Sequence, residues 1–227
     1  MQSKWISRGK CPCGNSSNGY NIHADGHAFC FSCQKRFNNV GEAKMEAKVV
    51  DIQNKVSSTG DYGGLGERRI TEQTARKYRT KIKTNGSIIS HHYYEYYNTE
   101  GSHVATKVRQ VEGKRIWSQG DMTDALLFGQ NLFKSGGKYI TITEGEIDAM
   151  SAYEMLGSKW AVVSIKNGVQ SAVQNCKQHL EYLNTFENVV VCFDNDKPGI
   201  EASQKVAQLF EPNKCKIVRL EHKDPNE

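Results

Sequence analysis

No apolar run in this 227-residue chain approaches the ~20 residues that a membrane-crossing helix needs. The opening stretch, MQSKWISRGKCPCG, has neither an apolar centre nor a small-residue cleavage site, so it does not read as a secretory leader. No segment matches G-x-x-x-x-G-K-[ST], which excludes nucleotide hydrolysis by the usual phosphate-loop route. Internal repeats and low-complexity tracts are missing too. An intracellular, cytoplasmic protein with no membrane partner is the default expectation.

What is present begins with charge. The formal net charge is +5, but it is unevenly spread. Residues 1–40 carry a net +4, residues 41–60 balance, residues 61–138 carry +5 and residues 139–227 carry −4. Two basic segments followed by an acidic one suit a chain that grips phosphate backbones and then holds cations, although ordinary solvated surface would give similar numbers. Of seven cysteines, four fall within the first 33 residues, whereas Cys176, Cys192 and Cys215 are scattered. Clustered pairs in an intracellular chain favour a metal, and the scattered three read as small core residues.

The patterning predicts a compact cysteine-bearing unit over 1–37, a polar linker over 38–61 with a short helix near Glu42–Lys48, a basic α+β segment over 62–138 and an α/β unit over 139–227. In the third part, RRITEQTARKYRT reads as a helix capped by Thr71. SIISHHYYEYY, the turn NTEG and SHVATKVRQV read as a β-hairpin. The last part alternates strands at 139–143, 161–165, 188–193 and 215–220 with helices at 147–156, 172–183 and 200–209. Apolar strands separated by helices imply a parallel sheet covered on both faces, with its working residues beyond the carboxyl ends of the strands.

Cys11-Pro-Cys13 and Cys30-Phe-Ser-Cys33 are two tight pairs sixteen residues apart. Four thiolates supply the closed tetrahedral shell of one structural Zn²⁺, and a unit of ~40 residues rarely folds on its own core alone. The first pair has one intervening residue where two are usual, and His23 or His27 is near enough to replace a thiolate. Within this unit Asp25, His27 and the aromatics Tyr20, Phe29 and Phe31 are candidates for reading a single strand, by base-edge hydrogen bonds and stacking. The plainer role for one of the two phenylalanines is to cover the metal knuckle.

The strand YITIT runs directly into Glu144-Gly-Glu146-Ile-Asp148, and NVVVCF runs into Asp194-Asn-Asp196-Lys-Pro-Gly. Both place carboxylates past the carboxyl ends of parallel strands. Acids gathered there without paired bases repel one another and call for hard cations such as Mg²⁺ or Mn²⁺, two of which can serve an in-line phosphoryl transfer.

TEGEIDAMS and FDNDKPG resemble the two signature motifs of the Toprim domain of DnaG-type primases and topoisomerases. The wider order of GHAFCFSC, KVRQVEGKRIW, LFG, TEGEID, VVS, FDNDKPG and KDPNE resembles, over essentially the whole chain, the primase half of bacteriophage primase–helicases. The resemblance implies a zinc ribbon, a linker, a basic subdomain and a Toprim catalytic subdomain. It implies a DNA primase that makes short RNA primers from NTPs on a single-stranded DNA template, working with a replicative helicase and a DNA polymerase in an infected bacterial host. By motif, Glu144, Asp194 and Asp196 would hold catalytic Mg²⁺, with Asp148 and Asp224 as further acids. Lys107, Arg109 and Lys114 would hold nucleotide or primer. Asp148 also fits a helix N-terminal acid favoured by the dipole, and Lys114 fits a solvated loop. The phage relatives continue into a helicase where this sequence stops, so a stand-alone primase and a piece of a longer protein are both expected readings.

Two rival functions share some of these features. A recombination mediator also joins a four-cysteine zinc unit to a Toprim-like domain, but it would need a helical DNA-binding region ahead of the cysteines, which here begin at residue 11. A topoisomerase needs a tyrosine nucleophile on large extra domains.

Overall fold

The computed structural model describes residues 5–9, 20–24, 27–30, 36–37 and 59–227. The chain divides into two compact units, Met1–Gln53 and Asn54–Glu227. In the first, strands β1 (Trp5–Gly9), β2 (Tyr20–His23), β3 (Ala28–Cys30) and β4 (Arg36–Phe37) pair antiparallel in chain order. Among its described residues Tyr20, Ala28 and Cys30 are buried together, with Ile22 and Phe37 packed alongside. Cys11, Cys13, Cys33 and Asp25 lie outside the described residues, as does the helix expected near Glu42–Lys48.

The second unit holds two four-stranded sheets. Helix α1 (Glu72–Lys77) opens it, and Thr71 caps the helix by accepting a hydrogen bond from Thr74 N at 3.3 Å. An antiparallel sheet follows in the order β5 (Thr80–Asn85), β6 (Ile88–Tyr97), β7 (His103–Gln110), β8 (Ile116–Gly120). The expected hairpin is β6–β7; the sequence pattern gave no sign of the two edge strands beside it. Along β7, Ala105, Lys107 and Arg109 share one face, because side chains alternate along a strand. Ala105 on that face is fully buried with Tyr94 and Tyr96.

The parallel sheet has the order β10 (Ala161–Ser164), β9 (Gly137–Thr143), β11 (Phe186–Cys192), β12 (Cys215–Ile217). Helix α2 (Glu146–Met155) packs on one face. The helices α3 (Ala172–Gln178), α4 (Leu180–Asn184) and α5 (Lys197–Ala207) complete the unit, and the single helix expected at 172–183 is broken at His179. Ile140, Ile142, Val163, Val189 and Val191 pack with Cys176, Leu183, Ala202 and Val206, which puts α3, α4 and α5 behind the sheet. Val162, next to Val163 and pointing the opposite way, packs with Ile147 and Met150 of α2 and with Tyr78, Tyr94 and Phe128. That second cluster cements the antiparallel sheet onto the parallel one.

A short strap, residues 125–128, crosses between the sheets. Leu126 N donates to Tyr97 O at the end of β6 (2.8 Å), and Phe128 exchanges two backbone hydrogen bonds with Ser164 at the end of β10 (3.0 and 3.1 Å). Tyr78, buried beside Phe128, donates its hydroxyl to Val162 O at 2.9 Å.

Candidate active site

A cleft of about 480 Å³ opens where the two sheets meet. One wall is the antiparallel sheet, with Lys107 and Arg109 on β7 and Ile116 and Ser118 on β8. The other is the carboxyl edge of the parallel sheet, with Glu144, Glu146, Asp148 and Asp194, and the loop Lys166–Gly168 that follows β10. Basic and acidic walls thus face each other across one opening.

The acids are crowded and partly dry. Burial lifts the carboxyl of Glu144 to about 7, and the charges of Asp194 and Asp196 add to the effect. Its Oε2 is buried and, among the described residues, has no hydrogen-bond partner. Burial also lifts Asp148 to about 7, followed by repulsion from Asp224 and Asp194. Asp148 accepts a hydrogen bond from Gly145 N at 3.1 Å, so it also closes the first turn of α2. The carboxyl of Asp194 is raised by burial and then by Asp224, and the ammonium of Lys223 at 3.8 Å offsets part of this. Asp196 caps α5, accepting from Gly199 N at 3.0 Å. Asp224 stands in the terminal turn, where its Oδ1 accepts from Asn226 N (2.8 Å) and Glu227 N (3.1 Å). Asn226 fastens that turn by donating to Arg68 O at 2.8 Å and Ser151 Oγ at 2.9 Å.

This donor set fits a divalent cation. Hard oxygens that carry raised pKa values, and an orphaned carboxylate oxygen among them, are what a bound cation would neutralise. Among the described residues, however, no three Asp, Glu, His or Cys side chains close on one point as a finished ligand cluster. The acids converge without closing.

The predicted basic residues separate. Lys107 and Arg109 line the cleft. Lys107 is only 9% exposed, and its ammonium is bonded to the Glu146 carboxylate and the Lys166 carbonyl, 5.5 Å above the Tyr96 ring. Glu146 also accepts from the Tyr96 hydroxyl. Lys114 is exposed in the turn between β7 and β8, at φ 51°, and does not line the cleft. Of the two residues expected to read template, His27 is described; its ring stacks on His23 at 4.2 Å. Tyr96 and Lys166 carried no expected role, and Glu146 was expected only as one of the acids past the first strand, not as a partner of Lys107. Their one signal was position, Glu146 and Lys166 each standing just past the end of an apolar strand.

A parallel sheet with acids at its carboxyl edge and a helix straight after the first of them is Toprim-like, and the Toprim-like family profile matches residues 141–227. The DNA helicase/primase of Enterobacteria phage T3 is 33% identical over 95% of this chain, which spans 40% of that relative's length. The crystal structure of the primase fragment of the bacteriophage T7 primase-helicase protein superposes with a TM-score of 0.68 at 30% identity, covering 99% of this chain and 94% of that one. Primase domains of the T7 protein, in a complex of lagging-strand DNA polymerase with an RNA/DNA hybrid and dTTP, are 33% identical with a TM-score of 0.66, covering 74% of this chain and 84% of theirs. The chain belongs to the family of bacteriophage primase–helicases, in the part that carries the primase. Among the described residues no helix is long and apolar enough to cross a membrane.

Proposed function

We propose that this chain is a DNA primase, joining NTPs into short RNA primers on a single-stranded DNA template. The observation that carries the reading is the cleft itself, in which carboxylates with raised pKa face Lys107 and Arg109. Arg109 and Lys107 supply cationic donors for a triphosphate or a primer–template backbone. Glu146 and Tyr96 orient Lys107 from behind. Glu144, Asp194 and Asp196 are the residues that would hold Mg²⁺ or Mn²⁺. The chemistry such a pair of ions supplies when bound is charge stabilisation at the attacking and leaving oxygens of nucleotidyl transfer. Asp148 and Asp224 hold the acidic edge in shape.

In the N-terminal unit, Cys11, Cys13, Cys30 and Cys33 would bind one structural Zn²⁺, and Asp25 and His27 would read the template. Support comes from the length of that unit: a segment of about 40 residues rarely buries enough apolar surface to fold without a crosslink or a metal. By analogy with the T7 assembly, a DNA polymerase is the partner that takes over the primer, and a replicative helicase, fused or separate, is the other.

The test is primer synthesis from labelled NTPs on single-stranded templates. Glu144→Ala and Asp194→Ala should each abolish synthesis while template binding persists. Normal primer yield from both folded variants would defeat the reading and favour a non-enzymatic DNA-binding role.

A further inference from the structure

Lys166 is a lysine where the fold has no obvious use for one. It follows β10 and is 2% exposed, and among the described residues no carboxylate lies within salt-bridge distance of it, Asp121 and Asp124 acting on it only from further away. Burying an ammonium is costly, and burial holds its pKa below the usual lysine range. A leucine or methionine would fill the same space without that penalty, so the amino group calls for another explanation.

Its three polar groups each make a bond that leads elsewhere. The ammonium donates to Ala125 O at 2.6 Å, on the strap between the sheets. The backbone N–H donates to Asn175 Oδ1 at 2.8 Å, and Asn175 is itself 4% exposed. The carbonyl, pointing the other way, accepts from the ammonium of Lys107. Lys107 stands on the opposite wall of the cleft and has two anchoring acceptors, Glu146 and this carbonyl. A flexible loop could not hold a carbonyl steadily against a lysine. Here the loop is fastened on both sides, by its own side chain to the strap and by its backbone to α3.

We propose that Lys166, with Asn175, is a positioning residue for Lys107: it fixes the loop whose carbonyl sets where the Lys107 ammonium presents itself to nucleotide phosphates. This rests on the primase reading for its consequence in catalysis, but the geometric claim concerns Lys107 alone. Lys166 touches no reacting atom. It acts through one hydrogen bond on a residue that does.

Lys166→Met keeps length and removes the donor; Asn175→Ala removes the other fastening without touching Lys166. In the full chain, each should raise the KM for NTPs roughly tenfold, the size of an ordinary coupling through one shared partner, with kcat and template affinity changed less than about twofold. In a Lys107→Ala background, Lys166→Met should add less than about twofold, because the residue through which it acts is gone. A general packing defect would instead cost the same in both backgrounds. Independently of catalysis, acetylation of the folded protein followed by peptide mass spectrometry should show Lys107 protected in the wild type and more reactive in both variants, other lysines being unchanged. Unaltered KM and unaltered Lys107 reactivity in both variants would overturn the proposal, as would equal costs of Lys166→Met with and without Lys107. Should the wild-type chain join no nucleotides at all, the primase reading falls, and the acetylation pattern still decides whether Lys166 places Lys107.

Discussion

Glu144 and Asp194 leave adjacent parallel strands almost level with one another: Thr143 pairs with Cys192, so Glu144 lies one residue past the pair and Asp194 two. The charge of Asp194 is one of the causes that lift the Glu144 carboxyl to about 7. The sheet register itself therefore holds two repelling groups together.

That repulsion should be measurable as lost stability. A carboxyl near 4.5 in the unfolded chain and about 7 in the fold lets the folded state bind the extra proton between those values. Stability then falls as pH rises through that window, and the full penalty is present above it. In chelator at pH 8, Glu144→Gln should be more stable than wild type by about 2 kcal/mol, a figure discounted because the group is only half-buried. At pH 4.5 the gain should vanish. Thermal melts at the two pH values check this, and equal gains at both would contradict it. Added Mg²⁺ should raise the melting temperature of the wild type and not of the variant.

Over an overlapping pH window His92 works in reverse. It is buried on β6, and burial followed by repulsion from Arg109, Arg68 and His91 lowers its pKa to about 4 from 6.5. Between those values the unfolded chain takes a proton that the fold refuses, so stability falls as pH drops through the window. The loss should approach about 2–3 kcal/mol by pH 4. His92→Gln should flatten that limb of a denaturation series, and an unchanged slope would count against the assignment.

Gly199 illustrates a requirement set by backbone rather than by charge. A Cβ there would sit 2.1 Å from Asp194 O, and backbone cannot yield that much. Gly199→Ala should push Asp194 off the acidic edge and destabilise the fold by on the order of 1–3 kcal/mol. Primer synthesis should fall by far more than template affinity. Retained synthesis would mean that the turn tolerates the shift.

The acidic wall was legible because short apolar runs end abruptly in Glu144 and Asp194, and because β9 and β11 are buried enough to read as strands. Strand β8 was not, since all five of its residues are exposed and its pattern has no alternation to detect. Strand β5, TKIKTN, reads as polar for the same reason: it is an edge, buried only at its start. The break at His179 left no sign in an otherwise helical stretch. Lys166 was invisible for a different reason. A lysine in the triplet KNG reads as solvated loop, and only tertiary packing shows that its ammonium is inside.

Exposure also separates two lysines that the sequence grouped together. Lys107 is buried in the cleft wall, whereas Lys114 projects from a turn that does not line it. Lys107→Ala should raise the KM for NTPs at least tenfold, on the scale of one lost charge-assisted contact. Lys114→Ala should change it less than about threefold, as solvated charges do. Steady-state kinetics on both variants decides the order, and a larger effect at position 114 would reverse it.

The strap at 125–128 sets a limit on how this protein can work. Because Leu126 is tied to Tyr97 and Phe128 to Ser164, the gap between the Arg109 wall and the Glu144 wall is fixed by hydrogen bonds outside the cleft. The jaws share a frame rather than a hinge. On the primase reading, substrate would meet an aperture whose width these hydrogen bonds set, and adjustment during each round of joining would fall to the nucleic acid.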